Sequence, residues 1–329
     1  MVKLKTAVVG VGYLGTFHAE KLADLPESSL VAVADSHFAT AQCVAQRLGV
    51  EAFSDYRQLL GKVDAVSIAV PTQYHFAVAA EFLKSRVHVL LEKPIAATLE
   101  EAQVLIDLAA QQQRILQIGH LERFNPAVLA LENMIEQPLF IESHRLAPFK
   151  PRGTDVSVVL DLMIHDIDLI LNLVNSPIQR IDASGVPVLS SAIDIVNARI
   201  QFTNHCVANV TASRVSLKSE RKMRLFQHNA YLTIDFQNNR LGIHRKGAAE
   251  IYPGIQGITS EERSFPKGDV LATEIGAFLS AIRHGKSPLV SGEDGKRALA
   301  TAIEINRQLD QYPPPVPSRC HPHRVNLDR

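Results

Sequence analysis

Little in this chain ties it to an oxidising compartment. Its three cysteines, Cys43, Cys206 and Cys320, are odd in number, widely spaced and form no C-x-x-C pair. No disulfide framework is expected, and a reduced cytosol is the simple setting. Charge of one sign is lacking too. The 34 lysines and arginines balance 34 aspartates and glutamates, so no global field recruits nucleic acid or an anionic membrane. No apolar run is long enough to span a bilayer. The most apolar stretch, Ile164 to Val174, is interrupted by His165, Asp166, Asp168 and Asn172. The N-terminus goes directly into a strand, so no signal peptide is expected, and a cytoplasmic protein is. No metal site is expected either: the tail cluster Cys320, His321 and His323 does not supply four ligands.

What is present is a strand, a glycine turn and a helix. The apolar run Thr6–Val9 leads into Gly10-Val11-Gly12-Tyr13-Leu14-Gly15, and a helical pattern starts near Phe17. Gly10 allows a tight turn, Gly12 lets the backbone approach a pyrophosphate, and Gly15 lets the helix pack closely on the strand. The helix N-terminus offers unpaired N–H groups to the phosphates. A second strand, Leu30–Ala34, ends in Asp35, about twenty residues after Gly15, where the dinucleotide fingerprint wants an acid for the ribose.

Length suits two domains: 329 residues, 46% of them hydrophobic. Strands and amphipathic helices alternate to about Gly119. The expected strands after Leu30–Ala34 are Glu51–Ser54, Ala65–Val70, Val87–Leu91 and Ile115–Ile118. Continuous apolar strands between helices indicate a doubly wound parallel sheet, with ligands at the C-terminal strand ends. Those ends supply the candidate cofactor contacts: the glycine turn with Tyr13 and Leu14, then Asp35 and Ser36, then Val70, Pro71, Thr72 and His75, then Glu92 and Lys93. No lysine or arginine closely follows Asp35, which favours NAD over NADP. For His75 two readings stay open, a cofactor contact or a cap on the next helix. Lys93, followed by Pro94, is placed to hydrogen-bond a substrate hydroxyl and stabilise an alkoxide, or else forms a solvated pair with Glu92.

The expected division falls at 122/123, with a dinucleotide domain before it and a substrate and oligomerisation domain, 123–329, after it. A helix at Ala127–Glu136, a strand at Pro138–Leu146 and a helix at Asp155–Val174 open the second part. Asp161 and His165 are four apart, hence on one helix face, where a carboxylate can orient an imidazole base. The alternative is an ordinary helix-surface pair. From Ile178 the rhythm is strand after strand to His244. Gly247–Pro266 reads as irregular, and two helices follow, Val270–His284 and Gly295–Gln311. The alternation in Cys206–Ser213 gives a sheet with one buried face. Its other face is expected to pair with another subunit, as a homodimer or homotetramer.

GVGYLG at 10–15, Asp35, the EKP tripeptide at 92–94, Asp161 to His165, Asp166 and Asp168, the Glu274–Gly285 helix and SGEDG at 291–295 together resemble the Gfo/Idh/MocA oxidoreductase family. The resemblance implies NAD(P)-dependent oxidation or reduction of sugars and cyclic polyols, with Lys93, His165 and Asp161 as catalytic residues. It also implies a second domain built on a large, mainly antiparallel open sheet. Within the family, GHLERFNP at 119–126 and the segment 144–171 look most like members that oxidise the C3 hydroxyl of a UDP-sugar. Arg123, Asn125, Lys150 and Arg152 are then candidate substrate contacts beside Lys93, Asp161 and His165, the three cations suiting a pyrophosphate. Two other functions stay open, a dehydrogenase of a free polyol or sugar such as inositol and a non-catalytic dinucleotide-binding regulator.

Overall fold

The computed structural model describes residues 2–131, 134–149 and 156–311. The first part runs β1 (Leu4–Val9), α1 (Tyr13–Asp24), β2 (Ser28–Ala34), α2 (Phe38–Leu48), β3 (Glu51–Phe53), β4 (Ala65–Ile68), α3 (His75–Lys84), β5 (His88–Glu92), α4 (Leu99–Gln111) and β6 (Leu116–Gly119). All six strands are parallel, in the order β3-β2-β1-β4-β5-β6. Strand order reverses between β1 and β4, which opens a crevice at their C-terminal ends. The strands are apolar without alternation because both faces are covered. Val8 and Val33 pack under α1 and α2, and Val9, Val66 and Ile68 under α3 and α4.

The second part runs α5 (Pro126–Leu129), β7 (Pro138–Leu146), a π-helical turn (Val159–Met163), α6 (Ile164–Val174), β8 (Ile178–Val186), β9 (Ile195–Phe202), β10 (Val207–Ser213), β11 (Glu220–Gln227), β12 (Ala230–Asp235), β13 (Arg240–Tyr252), β14 (Ile255–Ser264), α7 (Val270–His284) and α8 (Gly292–Gln311). Its eight strands order β14-β13-β12-β11-β7-β10-β9-β8 and are antiparallel except for the β7–β10 pair. Alternate residues, such as Ala208, Val210 and Ala212 of β10, turn toward α6 and α8.

Two sequence expectations change. The helix expected at Ala127–Glu136 is a single turn ending at Leu129. The stretch Gly247–Pro266 is not irregular: it is the outer half of β13 and all of β14, a long edge hairpin. Its residues are mostly exposed on both faces, so no apolar alternation marked it as strand. The chain beyond residue 123 also helps to complete the first layer. Ile275, Phe278 and Leu279 of α7 pack with Val8, Val11 and Ala19.

Helix α6 is fixed to the rest of the fold by buried charge. Arg123, in a short 3-10 turn after β6, donates from Nε and Nη2 to the two carboxylate oxygens of Asp168, at 2.7 and 3.0 Å. Arg145 of β7 donates to Asp166 at 2.6 Å and to Glu122 at 3.0 Å. Ser143 donates to Asp166 as well, at 2.7 Å. These side chains are nearly inaccessible: Arg123 and Asp168 expose 4% and 2%. Removing one member leaves the other charge buried and unpaired, which costs about 3–5 kcal/mol. Arg123→Met is therefore expected to lower the melting temperature by many degrees, and Arg123→Met with Asp168→Leu to recover most of the loss. A thermal melt of the single variant that matches the parent protein contradicts this.

Candidate active site

The glycine turn has the shape that a dinucleotide needs. Gly10 has φ +81°, and a Cβ there would lie 2.8–2.9 Å from Val70 and from the Ala69 carbonyl. A Cβ on Gly15 would lie 1.7 Å from the Gly10 carbonyl oxygen, so only glycine lets α1 start this close to β1. Gly12 is the opposite case. Its Cβ position faces open space, the room a pyrophosphate would fill. Tyr13 and Leu14 are exposed at the helix start. Asp35 accepts the Val11 N–H at 3.0 Å and the His37 N–H at 2.9 Å. That fixes its carboxylate at the turn while leaving lone pairs for a ribose diol. Ser36 is exposed beside it, and His37 pairs through Nδ1 with the Thr40 hydroxyl. A cavity of about 690 Å³ adjoins the turn, lined by Val11, Gly12, Phe17 and His37 among others. These residues fit a bound dinucleotide.

Val70, Pro71 and Thr72 follow β4 and enter a 3-10 turn. His75 stands behind them. Both of its ring nitrogens face main-chain carbonyls, Nδ1 that of Pro94 at 2.7 Å and Nε2 that of Val70 at 2.8 Å. A buried ring engaged in this way ties the ends of β4 and β5 together rather than reaching the crevice itself. Burial lowers its pKa against the pull of those carbonyls.

Glu92 closes β5 within a buried polar chain. The Ser67 hydroxyl meets His18 Nδ1 at 2.8 Å, and His18 Nε2 meets Glu92 Oε1 at 3.0 Å. Burial acts to raise the Glu92 pKa, but His18 and the Lys93 ammonium outweigh it and hold the carboxylate below its usual range. Glu274 of α7 is the counterpart. Both its oxygens are buried without a partner among the described residues. Burial and the Glu92 charge push its pKa well up, so it is the neutral acid of the two.

Lys93 crosses from the first sheet to the second domain. Its ammonium donates to the Asp161 carbonyl at 2.9 Å and lies 3.6 Å from the Asp161 carboxylate. Asp161 sits in the π-helical turn, where the Ile164 N–H bonds to the Val159 carbonyl. Wide turns of this kind recur at functional sites. His165 follows on the first turn of α6. Burial is the main cause that holds its pKa well below the ordinary value, and the Lys93 and Arg145 charges add to it. The ring is thus held neutral, one helical turn after the Asp161 that Lys93 meets.

The expected Asp161–His165 pair is absent. Asp161 is half exposed and turns to Lys93, while His165 Nδ1 is buried with no partner among the described residues. Two other expectations are corrected. Arg123 is locked to Asp168 and is not free to hold a phosphate. Asn125 is buried. It caps α5 by accepting the Ala127 N–H, and its amide donates to the Phe236 carbonyl. Lys150 and Arg152 lie outside the described residues.

Two residues outside the expected site set stand here as well. His120, just after β6, lies edge-on to His165 with ring centroids 6.4 Å apart. Arg221 of β11 is exposed and acts on His165 as a nearby cation. The period-two pattern Arg221, Met223, Leu225 was the available signal, since the last two are buried toward α6.

Residues 4–120 match the model of the oxidoreductase family with an NAD-binding Rossmann fold, and residues 136–233 that of the GFO/IDH/MocA C-terminal domain. The chain is 41% identical to UDP-N-acetylglucosamine 3-dehydrogenase of Acidithiobacillus ferrooxidans, over 95% of this chain and 99% of that one. The solved structure of that enzyme superposes with a TM-score of 0.89 at 39% identity, over the same shares. Myo-inositol 2-dehydrogenase of Thermotoga maritima is 24% identical, over 94% and 97%. With both domain models matched and the strand-end residues in these places, the chain belongs to the Gfo/Idh/MocA family of oxidoreductases.

Proposed function

We propose that the protein is an NAD-dependent dehydrogenase of a nucleotide-sugar, oxidising the C3 hydroxyl of UDP-N-acetylglucosamine to the 3-keto sugar. One observation supports the chemistry: the Lys93 ammonium at the end of β5 bonds the Asp161 carbonyl, one helical turn before the neutral His165 ring. A carbinol between them donates its hydroxyl proton to His165. Lys93 stabilises the oxygen as negative charge develops. Oxidised nicotinamide, when bound, supplies the hydride acceptor. Asp161 holds Lys93 in place through its carbonyl. Glu92, tied to His18, keeps a carboxylate beside the ammonium.

The substrate assignment rests on the 41% identity to UDP-N-acetylglucosamine 3-dehydrogenase across nearly the whole of both chains, against 24% for the inositol enzyme. Arg221 is a cation on the site face with no hydrogen-bonded partner among the described residues, suited to an oxyanion. Asp35 supports NAD over NADP, because a 2′-phosphate would meet a carboxylate and no adjacent lysine or arginine. The open face of the second sheet carries a hollow of about 640 Å³ lined by charged side chains that include Lys222, Arg224 and Glu262. This face supports a homodimer or homotetramer. No helix among the described residues is long and apolar enough to cross a membrane, and we place the enzyme in the cytoplasm.

Mixing the protein with NAD and a panel of UDP-sugars and inositols, and following absorbance of the reduced nicotinamide, tests the reading. Turnover of UDP-N-acetylglucosamine is expected, and turnover of inositol alone would overturn the substrate. Lys93→Met and His165→Ala are each expected to lower turnover about a hundredfold or more, with NAD affinity nearly intact. Unchanged turnover in both sinks the assigned roles. The folded pKa of His165 lies below that of a free imidazole, so the base form persists as pH falls through about 6.5. The acid limb of kcat/KM is expected below that pH, and a limb above it contradicts a buried neutral base. Asp35→Ser is expected to raise KM for NAD about tenfold and to narrow the preference over NADP; an unaltered ratio for the two coenzymes would remove Asp35 from the ribose.

A further inference from the structure

His120 has no assigned role, and its surroundings are unusual. The residue is 1% exposed, and both ring nitrogens are buried without a partner among the described residues. A neutral imidazole carries one donor and one acceptor, and leaving both unmet in the interior is unfavourable. Buried polar groups of this kind point to a bridging water, a ligand or a proton-transfer role. The facing ring shares the condition, since His165 Nδ1 is also buried and unpartnered. Three of the four nitrogens of this perpendicular pair are therefore buried without a partner among the described residues. The ring centroids lie 6.4 Å apart with the planes at 87°, and no nitrogen of one ring bonds directly to the other.

The two rings sit among different charges. Around His165 the named influences are Lys93 from the end of β5, Arg145 from β7, Arg221 from β11 and His120 itself, and each disfavours a positive ring. Around His120, Lys93 and Arg123 of the turn after β6 oppose a charge, but Asp168 of α6 and Glu92 of β5 favour one. Burial keeps both rings neutral at rest. A proton delivered to His165 is thus better placed on His120.

We propose that His120 and His165 form a two-imidazole proton relay for the dehydrogenation. The substrate O–H bond breaks as an N–H bond forms on His165 Nε2. The proton on His165 Nδ1 passes through one bridging water to His120, which holds it until it leaves to solvent with the product. The electron pair of the carbinol C–H bond goes to the oxidised nicotinamide as hydride, and the C=O bond forms. One alcohol and one oxidised coenzyme give one ketone, one reduced coenzyme and one proton. The relay rests on the dehydrogenase reading above.

His120→Phe keeps the ring volume and removes the proton site. In the full chain with NAD and UDP-N-acetylglucosamine it is expected to lower kcat about ten- to a hundredfold near pH 7. KM for both reactants should stay within about twofold, and added imidazole should restore part of the rate in His120→Ala, which leaves room for it. A kcat within twofold of the parent protein overturns the relay. So does a defect that appears in KM for NAD, which would make the ring a coenzyme contact. Wild-type protein that turns over no sugar or polyol fails the dehydrogenase reading instead. Nitrogen-15 NMR of the histidine rings in the unsubstituted protein then still decides the relay. On acidification His120 is expected to protonate before His165, and the reverse order contradicts it.

Discussion

The site depends on one contact between domains, the Lys93 ammonium on the Asp161 carbonyl. Lys93 belongs to the end of a buried parallel strand, and Asp161 to the turn that begins α6. Neither domain alone builds a place for alcohol oxidation. The first offers a dinucleotide crevice and a cation, and the second offers an imidazole. Their meeting fixes where a hydroxyl can lie. A fixed charge aimed at a developing alkoxide in a site that excludes water acts far more strongly than the same charge in solution.

That meeting requires α6 to be immobile. Its sequence divides the task by position. Ile164, Ile167, Ile170 and Leu171 fill the core beneath the second sheet. Asp166 and Asp168 are buried and held by Arg145 and Arg123, from β7 and from the turn after β6. His165 is left with its buried Nδ1 unpartnered among the described residues. The two aspartates that follow the histidine in this D-x-x-x-H-D-x-D string are therefore anchors. They hold the helix by bonds that apolar packing alone does not orient.

Much of the fold was legible because local chemistry and global position agree there. Gly15 can only be glycine, given the Gly10 carbonyl beneath it, and Asp35 follows its strand where the ribose is expected. Charge pairing was not legible. Arg123 reads as a loop cation in a string of letters, yet its partner lies 45 residues away and the pair is sealed from water. Spacing misled at Asp161: four residues place it on the face of His165, but Lys93 from another domain takes its carbonyl and carboxylate. The outer hairpin was missed because a strand exposed on both sides has no apolar rhythm. His120 stayed outside the expected site set because a histidine after a strand has no assignable role until its ring is found against another.

The central claim is that Lys93 and His165 serve one hydroxyl over one nicotinamide ring. The most direct measurement is an experimental structure of the ternary complex with NAD and UDP-N-acetylglucosamine. The sugar C3 oxygen is expected within hydrogen-bonding reach, about 2.6–3.2 Å, of both the Lys93 ammonium and a ring nitrogen of His165, with C3 above the nicotinamide. A C3 oxygen touching neither side chain, or a sugar seated away from the nicotinamide, would contradict it.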